Sequence, residues 1–294
     1  MIFVAMERLR VSAGEIAYVD AGRGPPVLLL HGFPTSSYLW RNLIPFLAQR
    51  MRVVAPDLLG YGASEKAKDS DLTVRAQAAY LRELLAHLGI EEFAVVGHDL
   101  GGAIAQLLAL EGGVRAMVLV DSAAFDVWPI EGVRMLQDAR PEQETPEFVQ
   151  QVLRLTFELG LGHVDRLTDD VFAAYREPFA AEEGGRAFFR AARAIDGVGL
   201  ADREEELASL EIPVMLLWGE DDPYLPVEVA DRLNEAIPTS TLALLPGCSH
   251  FLPEDAPDTV GALVYEYLRA RYLAEEHGHE QPVISLESLR RGHA

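Results

Sequence analysis

Apolar residues along this chain fall into two alternating kinds of block. Short runs are apolar at nearly every position: Pro26-Val27-Leu28-Leu29-Leu30, Arg52-Val53-Val54-Ala55, Phe93-Ala94-Val95-Val96, Ala116-Met117-Val118-Leu119-Val120 and Ile212-Pro213-Val214-Met215-Leu216-Leu217-Trp218. Runs of this kind suit strands buried on both faces. Between them lie stretches with helical spacing, from Tyr38 to Arg50, Leu72 to Leu88 and Gly102 to Leu110. The second has Thr73 near its start and Gly89 at its end, the usual punctuation of a helix. The pattern also predicts a hairpin around Ala13-Gly14, a helix over Val227 to Ala236, a strand over Thr241 to Leu245 and a last helix from Pro257 to Tyr272. Strands alternating with helices imply an α/β class with a doubly wound, mostly parallel sheet.

The alternation breaks between about Ala124 and Ala201, which is rich in Ala, Glu, Arg and Phe and reads as several helices. An insertion at this place would form a lid over the carboxyl ends of the strands, where open α/β sheets bind ligands. The expected organisation is a core made of residues 1–124 and 202–274, a helical cap or lid at 125–201 and a polar tail at 275–294. His277 and His279 are read as part of that solvated tail rather than as metal ligands.

The chain has 294 residues, of which 49% are hydrophobic, enough for a sizeable core. A net charge of -21 repels nucleic acid and anionic lipid and disfavours anionic substrates. No apolar run reaches the roughly 18 residues that cross a bilayer. The N-terminus lacks a basic segment followed by a long apolar one, so no signal peptide is expected. A single cysteine, Cys248, excludes an internal disulfide framework and is read as a small packing residue. The expectation is a cytoplasmic enzyme acting on a small molecule, monomeric or homodimeric, without nucleic acid, membrane, metal or organic cofactor.

Four segments carry candidate chemistry, each placed just after an expected strand. Gly97-His98-Asp99-Leu100-Gly101 lies between a strand and a helix, where a sharp turn would expose the Asp99 carboxylate. A carboxylate needs no base to remove its proton at pH 7, and it attacks a carbon bearing a leaving group to leave an ester on the enzyme. The plainer reading of Asp99 is a helix N-cap. His31-Gly32-Phe33-Pro34 follows the central strand; Gly32 permits a tight turn that aims the Phe33 N–H inward, and His31 reads as a buried structural histidine. Trp218-Gly219-Glu220-Asp221-Asp222-Pro223 offers a second carboxylate in Asp222, and Gly247-Cys248-Ser249-His250-Phe251 offers a histidine between the last strand and last helix. A fifth segment, Asp57-Leu58-Leu59-Gly60-Tyr61-Gly62-Ala63-Ser64, reads as a structural turn.

In order and spacing these segments resemble the α/β-hydrolase superfamily, whose nucleophile elbow is normally Gly-x-Ser-x-Gly and whose triad runs nucleophile, acid, histidine. The resemblance covers nearly the whole chain. With Asp at the elbow it is similar to the haloalkane dehalogenase and epoxide hydrolase group, and His31-Gly32-Phe33-Pro34-Thr35-Ser36-Ser37-Tyr38-Leu39-Trp40-Arg41 and Tyr175-Arg176-Glu177-Pro178-Phe179 resemble dehalogenase segments. The resemblance implies Asp99 as nucleophile, His250 as base, Asp222 as acid, and the N–H groups of Phe33 and Leu100 as the oxyanion hole. Asp121, after the strand that follows the elbow helix, is the alternative acid position.

The departures from that group fall on the leaving group. Leu100 stands where haloalkane dehalogenases usually carry a halide-holding Trp and where fluoroacetate dehalogenases carry Arg; Phe33 stands where many dehalogenases carry Asn. Trp128 is a substitute halide donor, with packing at the lid entrance as its plainer role. An epoxide hydrolase would use lid tyrosines, and Tyr175 is the sole tyrosine between Ala124 and Ala201. The sequence therefore points first to a dehalogenase-like hydrolase of small apolar substrates. The alternatives are an epoxide hydrolase using Tyr175, or a hydrolase-fold ligand-binding protein with little turnover.

Overall fold

The computed structural model describes residues 6–66, 68–196, 201 and 203–273. Eight strands form one sheet: β1 (Met6–Val11), β2 (Gly14–Gly22), β3 (Pro26–Leu30), β4 (Arg52–Pro56), β5 (Phe93–Asp99), β6 (Val114–Ser122), β7 (Val214–Gly219) and β8 (Ser240–Leu245). Their order is β1-β2-β4-β3-β5-β6-β7-β8. β2 pairs antiparallel with β1 and β4, and every other pairing is parallel. The continuous apolar runs account for this. β5 and β7 are buried at every residue, so both faces of the central sheet are covered.

Eleven α-helices are described: α1 (Ile44–Leu47), α2 (Val74–His87), α3 (Leu100–Glu111), α4 (Glu131–Gln137), α5 (Pro146–Gly160), α6 (Asp169–Arg176), α7 (Glu182–Arg193), α8 (Glu204–Ala208), α9 (Val227–Ala236), α10 (Leu252–Asp255) and α11 (Pro257–Arg271). α1 packs with α11, whereas α2, α3, α8 and α9 form a connected second group against the sheet. Helices α4 to α7 fall between β6 and β7 and pack chiefly on one another. None of the described helices is long and apolar enough to cross a membrane.

One expected helix differs. Tyr38 to Arg50 is not continuous: it divides into a 3-10 turn over Ser37–Trp40 and the single-turn α1. Ser36 caps the first piece by accepting from the Tyr38 N–H, and Pro45 opens the second. Pro45 has no N–H to donate to the carbonyl four residues back, so the helical ladder is interrupted there. The tail expected at 275–294 lies outside the described residues.

The turn between β5 and α3 positions the site. Asp99 ends the strand at φ 52, ψ -118, and Leu100 begins the helix. So tight a turn brings α3 against the neighbouring strands, and only glycine fits. A Cβ on Gly101 would sit 2.2 Å from the Leu30 carbonyl oxygen, and one on Gly97 would sit 2.4 Å from the Gly101 oxygen. Gly132 in α4 has nothing within 4 Å of its would-be Cβ. Gly101→Ala should therefore destabilise the protein by more than about 2 kcal/mol, through backbone overlap that cannot relax. Gly132→Ala should stabilise it by up to about 1 kcal/mol through helix propensity. Urea unfolding midpoints of the two variants check both signs.

Candidate active site

The carboxyl ends of β3, β5, β6, β7 and β8 and the segments that follow them carry the six acidic, histidine and amide groups singled out in the sequence. In a parallel sheet these loops open on one side, at the carboxyl ends of the strands. Asp99 is 2% exposed, and its Oδ1 accepts from the Phe33 N–H at 2.9 Å. Gly32 makes that approach possible, since a Cβ there would lie 2.3 Å from Oδ1. His250 lies on the other side of the carboxylate, with Nε2 3.7 Å from Asp99 Oδ2. Its Nδ1 is 2.9 Å from Asp222 Oδ2. The second oxygen of Asp222 accepts from the N–H groups of Tyr224 at 2.8 Å and Leu225 at 3.0 Å. That carboxylate is thus held by its own turn and has one oxygen left for the histidine.

The electrostatics follow from burial and these contacts. Burial pushes the Asp99 carboxyl up to about 6, against the pull of His250 and of the Leu100 and Phe33 N–H groups. Burial alone would lower His250, but the charge and hydrogen bond of Asp222, joined by the charge of Asp99, raise it overall. His98, in the elbow, is kept neutral by burial and by His250; its Nε2 bonds the His250 carbonyl at 2.9 Å, and its ring lies 4.8 Å from the His250 ring. Tyr224 stands edge-on to His250 at 5.1 Å and donates its hydroxyl to the Thr156 carbonyl in α5 at 2.8 Å.

Asp121 is placed differently. Its Oδ1 accepts from the Gly219 N–H at 2.8 Å, and its Oδ2 is buried without a partner among the described residues. Burial and the charge of Asp222 push its carboxyl well above the usual range, in the direction of the neutral form. His250 bonds Asp222, not Asp121. Among the described residues no cluster of histidine, cysteine and acidic groups is arranged to hold a metal ion.

The two leaving-group candidates also differ. Trp128 is 7% exposed, and its Nε1–H has no partner among the described residues. The Tyr175 hydroxyl donates to Glu254, and Arg41 grips the same carboxylate with Nη1 at 2.5 Å and Nη2 at 2.7 Å. Glu254 and Arg41 were not recognised as partners in the sequence. Arg41 stood inside the dehalogenase-like segment, but nothing in the spacing tied it to a carboxylate 213 residues away.

Residues 25–257 match the family model for the alpha/beta hydrolase fold. The chain is an α/β-hydrolase. This α/β-hydrolase is 35% identical over 267 residues to haloalkane dehalogenase 2 of Mycobacterium tuberculosis, covering 87% of this chain and 92% of that protein. It is 30% identical to a soluble epoxide hydrolase of a Corynebacterium species, covering 85% and 92%. A crystal structure of an alpha/beta hydrolase fold protein from Burkholderia ambifaria superposes with a TM-score of 0.83 at 30% identity, covering 90% of this chain and 98% of that one.

The buried Asp99 carboxylate gives a stability test for this α/β-hydrolase. Its ordinary value is 3.8 and its folded value about 6, so the folded state holds the proton more tightly than the unfolded state. Stability contributed by the neutral form is present below pH 4 and is lost as the pH rises through 6. Asp99→Asn should be more stable than the parent by up to about 3 kcal/mol at pH 8, and the advantage should vanish near pH 4. Denaturant unfolding of both proteins across that range measures it; an equal difference at all pH values would contradict it.

Proposed function

We propose that this α/β-hydrolase cleaves a small, largely apolar substrate through a covalent ester on Asp99, most nearly as haloalkane dehalogenases do. One observation carries the reading: a buried carboxylate, instead of a hydroxyl, occupies the elbow between the Phe33 N–H and His250. With a pKa of about 6 that carboxylate is mostly ionised at neutral pH. It needs no general base for its own attack, which leaves His250 free for the second step.

In the first half-reaction an Asp99 oxygen attacks the substrate carbon in line with the leaving group. The carbon–halogen bond breaks, and the electron pair leaves with the halide. In the second, His250 Nε2 takes a proton from water, which attacks the Asp99 carboxyl carbon. The N–H groups of Phe33 and Leu100 stabilise the oxyanion, and Asp222 stabilises the imidazolium. Collapse restores the Asp99 carboxylate, the hydroxyl proton of the intermediate leaves with the alcohol, and His250 gives up its proton to solvent. Helices α4 to α7 act as the cap: Phe188 of α7 lies 5.0 Å from Phe33, and Phe157 of α5 lies 4.5 Å from Phe251 beside His250. Such apolar walls favour an uncharged substrate. Trp128, whose N–H has no partner among the described residues, is the candidate halide donor in this reading.

Epoxide opening is the second reading, supported by similarity to the soluble epoxide hydrolase. It is weakened by Tyr175, whose hydroxyl is committed to Glu254.

His250→Gln should stop turnover and leave the alkyl group on Asp99, visible by mass spectrometry after exposure to a bromoalkane or an epoxide. In the parent, a single turnover in oxygen-18 water should label the Asp99 carboxylate; label confined to the product would sink the covalent reading.

The acid is tested by two isosteric changes. Asp222→Asn should lower the rate by about ten-thousandfold, since the amide can neither fix the imidazole nor stabilise its charge. Asp121→Asn should leave it near wild type, because His250 bonds Asp222 and the amide oxygen can still accept from the Gly219 N–H. The reverse ranking would move the acid to Asp121.

A further inference from the structure

One end of the His250 ring is fixed and the other is not. Asp222 Oδ2 holds Nδ1 at 2.9 Å. Nε2, the atom that has to meet water, stands 3.7 Å from Asp99 Oδ2, beyond hydrogen-bond reach. A single bond at Nδ1 still allows the ring to swing about it, so packing has to set where Nε2 points. The rings of His98 at 4.8 Å, Phe251 at 4.9 Å and Tyr224 at 5.1 Å supply that packing.

Tyr224 is tied down at both ends. Its N–H donates to Asp222 Oδ1 at 2.8 Å, which joins its backbone to the carboxylate that holds His250. Its hydroxyl donates to the Thr156 carbonyl in α5 at 2.8 Å. Between these two bonds the ring stands at 89° to the imidazole. Phe251 has no polar atom on its ring, and His98 commits Nε2 to the His250 carbonyl, so neither of those side chains bonds α5 in this way. The last residue of α5 lies flush against the same group. A Cβ on Gly160 would sit 2.8 Å from the Tyr224 ring and 2.8 Å from the Phe251 ring. The Gly160 carbonyl also accepts from the Phe251 N–H at 3.0 Å. Helix α5 is therefore seated on the acid turn and on the histidine loop at once.

We propose that Tyr224 is a positioning residue for His250, setting the imidazole for hydrolysis of the Asp99 ester and transmitting to it the position of α5. The assignment rests on the covalent Asp99 reading and adds which of its two steps depends on Tyr224. Attack by Asp99 on the substrate carbon moves no proton to His250. Hydrolysis does: Nε2 takes a proton from the water whose oxygen bonds the Asp99 carboxyl carbon, and the ester bond to the alkyl oxygen then breaks. Tyr224 keeps its own proton throughout. A general base is effective only when its nitrogen is aimed at the water, so a ring that drifts loses rate in this step alone.

The experiment reads the two steps separately in the full chain. His250→Gln, alone and combined with Tyr224→Phe, gives the rate of Asp99 alkylation by 1-bromohexane or 1,2-epoxyhexane, followed by mass spectrometry. Tyr224→Phe in the enzyme that keeps His250 gives the share of enzyme standing as the ester at saturating substrate, caught by rapid acid quench. Alkylation should change by less than about twofold, whereas ester hydrolysis, obtained from the two readings together, should slow about 3- to 30-fold. Tyr272→Phe controls for the loss of a hydroxyl-to-carbonyl bond as such. Its bond, 3.1 Å to the Pro26 carbonyl, lies at the amino end of β3, opposite the site, and its removal should leave both rates unchanged. Gly160→Ala keeps the Tyr224 hydroxyl and presses α5 on the ring; it should also slow hydrolysis selectively, and it carries the test should Tyr224→Phe fold poorly. Equal slowing of both steps, no slowing of hydrolysis, or selective slowing by Tyr272→Phe overturns the role of Tyr224, while alkylation of the His250→Gln parent keeps the Asp99 reading intact. No adduct in that parent with either compound overturns the Asp99 reading and this assignment with it.

Discussion

The structure depends on keeping one carboxylate ionised where water is scarce. Asp99 is 2% exposed and would be neutral if burial acted alone. The N–H groups of Phe33 and Leu100, with His250 beside it, bring its pKa back to about 6. Each of those groups makes its own demand on the backbone. The Phe33 N–H reaches the carboxylate because Gly32 has no side chain, and the elbow closes because Gly97 and Gly101 have none. His250 keeps its orientation because Asp222 is held by two N–H groups of its own turn and offers its remaining oxygen. The site's chemistry and the close contact of α3 with the sheet are thus two results of the same glycine spacing.

The inserted helices are tied to the histidine loop. The Phe251 N–H donates to the Gly160 carbonyl at 3.0 Å, where α5 ends. Asp255 accepts from Ser249 N at 2.8 Å and also from Gly162 N at 3.0 Å and His163 N at 2.9 Å, joining both sides through one buried carboxylate. Glu254 gathers Arg41 from the segment after β3 and Tyr175 from α6. Buried charges left unpaired are costly, so paired ones of this kind resist displacement. Any displacement of these helices has to occur away from these anchors or has to break them.

Much of this was legible in the residues. Continuous apolar runs gave the buried parallel strands, because a strand covered on both faces has no polar side to show. The convergence of Asp99, Asp222 and His250 was legible because each lies at or just after the end of a strand, and the carboxyl ends of neighbouring parallel strands open on one side. Tyr38 to Arg50 misled because helical spacing says nothing about a missing N–H at Pro45. The partner of Tyr175 was not legible: its hydroxyl donates to Glu254, 79 residues along the chain.

By itself, the sequence determined the α/β class, the carboxylate at the elbow and the chain order of the three site residues. Those are properties of local pattern: period, glycine position and residue type after a strand. Only the tertiary structure showed which of Asp222 and Asp121 meets His250. Both lie at the carboxyl ends of strands, but His250 Nδ1 meets Asp222 at 2.9 Å, whereas Asp121 accepts from the Gly219 N–H. It also decided that the Tyr175 hydroxyl is committed to Glu254. Hydrogen-bond partners and local fields come from groups far apart in the chain, and the distance between them exists only once the chain has folded.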